Sequence, residues 1–277
     1  MMRTLLSRWT RSPSVAIPDP LWISTLDSLP FLARLTSDEC SRLRVLAAQL
    51  LADKQMSAAA NLELTSSMQV SIAVQACLPV LNLGLDLYRG WKSIVVYPSE
   101  FLVPRSITDD DGVVHEYVEP IAGEAWDGGP LVLSWEDAQQ NATGAGAAYS
   151  VVIHEFVHKI DLLDGEADGV PPFVAAHKSL SLERWRSVLH QSFDRFAAEL
   201  ELIDAELADD LDPESDEVDR HYAHLPIDPY GGHDEAEFFA VSSEAFFVAP
   251  GRLHTAFPEW YELLAQFFLQ DPLAAER

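Results

Sequence analysis

A chain of 277 residues, 48% hydrophobic and 22% charged, can bury a sizeable core and lies far from the composition of a disordered polymer. Its formal charge of −26 argues against a phosphate-backbone ligand, which needs a basic surface, so no direct nucleic-acid partner is expected. The same charge favours solubility and can steer a basic partner.

In chain order, residues 1–25 read as a loose arm, with Pro13, Pro18 and Pro20 close together, and 26–277 as a single domain. The opening MMRTLLSRWTRSPS is Arg-bearing and acid-free like a transit peptide, but it lacks the apolar core and cleavage site of a secretory signal. Over 30–56 apolar residues recur at helical spacing (Leu32, Leu35, Leu43, Leu46, Leu50), with Thr36 and Ser37 as a cap before Asp38 and Glu39. A second helix is predicted over 65–81. The apolar stretch 71–87 is broken by Pro79, Gly84 and Asp86 and falls short of a span, so no membrane association is expected. Cys40 and Cys77 give no disulfide framework, which makes a reduced cytoplasm the simplest location.

Strands are predicted over 93–98, 112–118 and 130–135. Helices follow over 147–162 and 173–207. Eleven acidic residues fall between Glu199 and Asp219, without the ligand spacing of a calcium loop, and read as a solvated helix end and loop. Two further helices are expected over 234–248 and 259–269. Helices, then a small sheet, then helices indicate a predominantly helical α+β domain.

The most informative motif is His154-Glu155-Phe156-Val157-His158. On a helix, residues four apart share a face, so His154 and His158 can turn their rings to one ion. Glu155 sits about 100° around that helix, where it can reach a water without ligating the ion. Zn²⁺ takes neutral imidazole readily, and an open fourth position lowers the pKa of bound water towards ~7, which is a hydrolase's requirement. The apolar run AAYSVVI before the motif, and Ile160, Leu162 and Leu163 after it, suit a buried helix that stops near Gly165.

A catalytic zinc site needs a third protein ligand. Glu237 and Glu244 lie seven apart on nearly one face of the helix over 234–248, and Tyr230 precedes Glu237 by seven in the turn Asp228-Pro229-Tyr230-Gly231-Gly232. A tyrosine hydroxyl near the ion can donate to an oxyanion. Rivals remain open: Asp234 and Glu237 match an ordinary capping box, His233 lies four before Glu237, and His221 and His224 add imidazoles. Asp161 can orient a ligand imidazole or serve as a cap or ion-pair partner. Glu244 has a similar choice, between accepting from a ligand imidazole and being satisfied in the core. The strand over 131–135 can offer a sheet edge to an extended peptide, or be plain core.

The chain resembles the Mlc titration factor A family of bacterial zinc peptidases, whose zincin-like metallopeptidase domain is similar to that of anthrax lethal factor. The likeness runs from LPFLARLT to FFLQDP through AVQACLPVL, LDLYRGWKSIVVYP and GEAWDGGPLVLSW. Its key pair is HEFVHKIDLLDGEADGVPP with IDPYGGHDEAEFFAVSSEAFF. The resemblance implies zinc held by His154, His158 and Glu237, Glu155 as base and Tyr230 on the oxyanion. It also implies His115 as an inhibitory fourth ligand. The implied activity is an aminopeptidase acting on peptide substrates; the alternative is a binding protein that sequesters a transcriptional repressor of the glucose phosphotransferase system. One departure is Glu235 where the family tends to have Pro, which would suit a first helical turn.

Overall fold

The computed structural model of the protein describes residues 16–108, 114–126, 128–139, 149–205, 207 and 220–274, with backbone alone for 102–108 and 114–120. Within the stretch expected as a loose arm, Asp19–Ser28 forms a helix, α1, which starts behind Pro18 and buries Trp22 and Thr25. The single helix expected over 30–56 is two pieces. A 3-10 turn at Pro30–Arg34 is followed by α2, Ser37–Asp53, because Thr36 takes an extended backbone to cap the second piece. Its hydroxyl accepts from the Glu39 amide at 3.3 Å, and the Glu39 carboxylate accepts from the Thr36 amide at 2.9 Å. α3, Ser66–Cys77, is capped in the same place by Thr65 and is almost wholly buried.

Four strands form one sheet in the order β1-β2-β6-β5. β1 (Gln55–Ala58) and β2 (Ser93–Tyr97) run parallel, as do β2 and β6 (Leu131–Ser134), whereas β5 (Gly123–Ala125) runs antiparallel to β6 at the edge. β1 carries no β-branched or aromatic residue, so pairing with β2, and not propensity, makes it a strand. β3 (Phe101–Thr108) and β4 (Val114–Ile121) make a separate hairpin. Trp135, expected to end a strand, instead opens the short helix α4, Trp135–Gln139.

The motif helix α5 is Val151–Asp161, and all of its residues are buried between the sheet, α3 and α7 (Glu235–Val248). α6 (Leu182–Asp204) begins later than expected, at a Ser181 cap. α8 (Pro250–Ala256) and α9 (Pro258–Phe268) close the chain. Trp185 of α6 packs on Trp260 of α9, ring centroids 4.8 Å apart, and on Phe239 of α7. Such aromatic contacts lock α7, the motif helix's partner, to α6 and α9. Among the described residues no helix is long and apolar enough to cross a membrane.

Two links fix α5 against its neighbours. Lys159, although buried, donates to the carbonyls of Trp126 and of Gly129 (3.1 Å), tying the β5–β6 turn to the helix. Two residues on, at the last residue of the helix, Asp161 Oδ2 accepts from the Gly169 amide at 2.8 Å, and the Gly169 carbonyl accepts from the Trp185 indole at 2.9 Å. Gly169 has φ +73°, and a Cβ there would lie 2.5 Å from the Glu235 carbonyl oxygen. The chain after α5 is thus wedged beneath the first turn of α7.

Gly169→Ala combines left-handed backbone with overpacking and should lower the unfolding free energy by roughly 2–4 kcal/mol in urea titrations. Burial raises Asp161 from 3.8 to about 7, and its Oδ1 has no partner among the described residues. A carboxyl raised on folding contributes its full stability below its unfolded pKa and loses it as pH climbs to the folded value. Asp161→Asn cannot ionise. Its urea midpoint should match wild type near pH 4 and exceed it above pH 7, by up to on the order of 4 kcal/mol in unfolding free energy.

Candidate metal centre

α5 begins where Ser150 turns its hydroxyl to the Ile153 amide, 3.3 Å away, which sets the start at 151 and not at 147. From that start His154 and His158 fall one turn apart on the inner face, with ring centroids 4.6 Å apart and planes at 76°. α7 begins at Glu235, so Glu235 occupies the first helical position where a proline would also fit. Asp234 caps the helix by accepting from the Glu237 amide at 2.9 Å. The cap takes only the Glu237 backbone. Its carboxylate turns to the histidines, with Oε2 at 3.1 Å from His154 Nε2 and 3.2 Å from His158 Nε2.

The two Nε2 atoms are themselves 3.0 Å apart. Tetrahedral coordination with bonds of about 2.0–2.1 Å separates neighbouring donors by about 3.3–3.4 Å. The observed triangle of 3.0–3.2 Å therefore fits a small divalent ion to a few tenths of an ångström. Among the described residues this is the group of histidine and carboxylate donors able to hold a metal ion; His221, His224 and His233 are outside it. His233 is exposed beside Asp234, and His224 lies 3.8 Å from Glu199. The electrostatics of the group agree. Burial works against charge on His154, yet hydrogen bonds with Glu237 and Glu244 hold its pKa well above the ordinary value. Burial also opposes the Glu237 charge, and the hydrogen bonds from both histidines hold that carboxyl well below its usual range. The group thus favours positive charge among its three donors.

Glu244 settles on the imidazole side of the two alternatives: its Oε1 accepts from His154 Nδ1 at 2.8 Å and its Oε2 from the Ser150 amide at 2.5 Å. This leaves the His154 Nε2 lone pair facing the triangle. Behind it, the Ser150 hydroxyl donates to Gln75 Oε1 at 2.9 Å, and Gln75 Nε2 donates to the Ala138 carbonyl at 3.3 Å. Neither Gln75 nor Ser150 stands out in the sequence as part of a site. The nearest signal is the serine three residues before Ile153, an N-cap spacing.

Glu155 is 4% exposed, and burial pushes its carboxyl up to about 7 against the lowering influence of His154 and His158. It faces a cleft of about 450 Å³ that also receives Tyr149, Tyr230 and strand β5. Tyr230 is half exposed, its ring 6.1 Å from that of His154. Tyr149, not anticipated from the sequence, is mostly buried; desolvation first, then nearby carboxylates including Asp137 and Glu244, push its hydroxyl pKa upward and keep it protonated.

Among the described residues Asp161 makes no hydrogen bond to an imidazole and no ion pair; its Oδ2 holds the Gly169 amide instead. The strand expected to offer a sheet edge is interior, since β6 lies between β2 and β5, and the edge belongs to β5. His115 pairs with Ile107 in the β3–β4 ladder, and its side chain lies outside the described residues. Of the acidic run 199–219, the beginning is the last turn of α6 and most of the remainder lies outside the described residues.

This arrangement has relatives. Residues 4–269 match the glucose-regulated metallo-peptidase M90 family. The chain is similar to Mlc titration factor A of Pectobacterium atrosepticum, 37% identical over 89% of this chain and 85% of that protein. It is 32% identical to the protein of the same name from Salmonella arizonae, over 95% of this chain and 96% of that one. With the Escherichia coli protein of that name it shares 35% identity over 89% of this chain and 84% of the other. A family match over almost the whole chain, on a fold that brings two histidines and a glutamate to one point, places this protein in the glucose-regulated metallo-peptidase M90 family.

Proposed function

We propose that the protein is a zinc-dependent peptidase that removes residues from the amino end of short peptides, with His154, His158 and Glu237 as the zinc ligands. The observation that carries the reading is the 3.0–3.2 Å triangle of donors beside a buried, raised-pKa Glu155 in an open cleft. Two imidazoles and one carboxylate match the donor set of hydrolytic zinc sites. A zinc ion there supplies Lewis acidity towards a water and a peptide carbonyl.

The chain's own residues supply the rest. Glu155 takes the proton of the attacking water and returns it to the leaving amine, a role suited by a carboxyl that titrates near neutrality. The Tyr230 hydroxyl donates to the oxyanion of the substrate. Glu244 keeps His154 in the tautomer that points its Nε2 inward. The exposed edge of β5 can pair with an extended substrate backbone. Preference for an amino end is supported by the cleft lining, where Glu124, Asp228 and Asp234 join Glu155, Glu237 and Glu244 and the described residues include no lysine or arginine. An α-ammonium is stabilised in that field, whereas an α-carboxylate would find no cation.

A second reading is favoured by the relatives' name, Mlc titration factor A, at high coverage of both chains. It makes the protein a cytoplasmic sequestering partner of a transcriptional repressor, and a formal charge of −26 suits a partner with a basic face. Both can hold on one molecule.

Glu155→Gln should keep one zinc per chain and lose roughly 10²–10⁴-fold in hydrolysis of an aminoacyl-anilide panel, while capture of the repressor persists. Undiminished hydrolysis would remove Glu155 from the mechanism. Wild-type protein that holds zinc yet cleaves nothing on the panel would leave the binding reading alone. Glu244→Ala should weaken zinc affinity by roughly 10–100-fold in competition with a chelator, measured at constant pH.

A further inference from the structure

Among the described residues, packing and not a hydrogen bond holds Glu155 in place. Its Oε2 has no partner among the described residues, although the side chain is buried. What confines it is strand β5. A Cβ built on Gly123 would lie 2.4 Å from Glu155 Oε1, 2.6 Å from its Cγ and 2.7 Å from its Cδ, and these are the three nearest atoms. Real Cβ atoms essentially never approach that closely. Gly123 does not have the positive φ that would by itself call for glycine. The missing side chain is therefore required by Glu155 and not by the local backbone.

The strand cannot easily retreat. Gly123 pairs with Leu133 of β6, the Ser134 amide donates to the Ala122 carbonyl at 2.7 Å, and Lys159 ties the following turn to the same helix that carries Glu155. Strand and helix are thus clamped at a spacing that leaves room for the Glu155 side chain against bare backbone and for nothing more.

We infer that Gly123 is a positioning residue that sets where the Glu155 carboxylate stands relative to His154, His158 and Glu237, by packing its bare backbone against that side chain. The inference rests on the reading of Glu155 as the proton carrier. A substituent at 123 would push the carboxylate out of line without touching the three metal-binding side chains.

The test is a pair of double-mutant cycles. In thermal melts of the metal-free protein, Gly123→Ala should lower Tm by roughly 2–6 °C, as overpacking does in a domain of this size. In a Glu155→Ala background the same change should leave Tm level or raise it by about 1–2 °C, because alanine then only restricts the unfolded chain. An equal fall in both backgrounds would overturn the contact. In hydrolysis by the zinc-loaded protein, Gly123→Ala should keep one zinc per chain and lose roughly 10²-fold in kcat. Added to Glu155→Gln it should cost nothing further. Full activity in Gly123→Ala would overturn the positioning role, and so would losses that multiply, since they would assign Gly123 to substrate pairing on the strand edge. A wild type without hydrolysis would sink the peptidase reading, and the melting cycle would still decide the contact.

Discussion

Three lone pairs crowded within 3.0–3.2 Å of one another repel unless positive charge sits among them. Every other feature of the site serves to hold that crowding in place. Two of the donors come from one turn of α5, so their separation follows from helix geometry and needs little else. The third comes from α7, about eighty residues on, and its arrival depends on the docking of two fully packed helices. That docking is set at one end by Gly169, wedged between Asp161, Trp185 and the first turn of α7, and at the other by Glu244, which bridges α7 to both His154 and the Ser150 amide. A shift of either helix would lose the hydrogen bonds of buried groups, which costs more than their formation gains.

The polar layer behind the donors is continuous. Gln75 holds the Ser150 hydroxyl, Ser150 both caps α5 and presents its amide to Glu244, and Glu244 holds the His154 ring. The line crosses from α3 to α5 to α7, so it also registers those three helices against one another. Glu155 and Asp161 stand apart from it, each with one buried oxygen that has no partner among the described residues. Burial raises both carboxyls to about 7. For Glu155 that environment suits the proposed role, since a carboxyl that changes protonation near neutral pH can both accept and return a proton. For Asp161 it is the cost of anchoring the turn beneath α7.

The cleft extends the same electrostatic character outwards. Carboxylates are the charged groups that join the two histidines in its described lining, and Tyr149 and Tyr230 line it as well. A chain with a formal charge of −26 thus concentrates negative potential around the three donors.

The amino-acid sequence by itself determined the metal-binding turn of helix, since His154, Glu155 and His158 acquire their common face from the 3.6-residue repeat alone. It also determined the Thr36 cap and the helix over 234–248, each of which depends on neighbours in the chain. Local pattern could not choose between Glu237 as a cap and Glu237 as a donor, because both use the same spacing; the structure separates them by giving the cap the backbone and the histidines the carboxylate. It could not find β1 or β5, short strands that exist through pairing and lack propensity of their own. Nor could it assign Asp161 to Gly169 or Gly123 to Glu155, because such contacts arise only when distant segments pack, and a glycine's empty side is visible only once the atom facing it is in place.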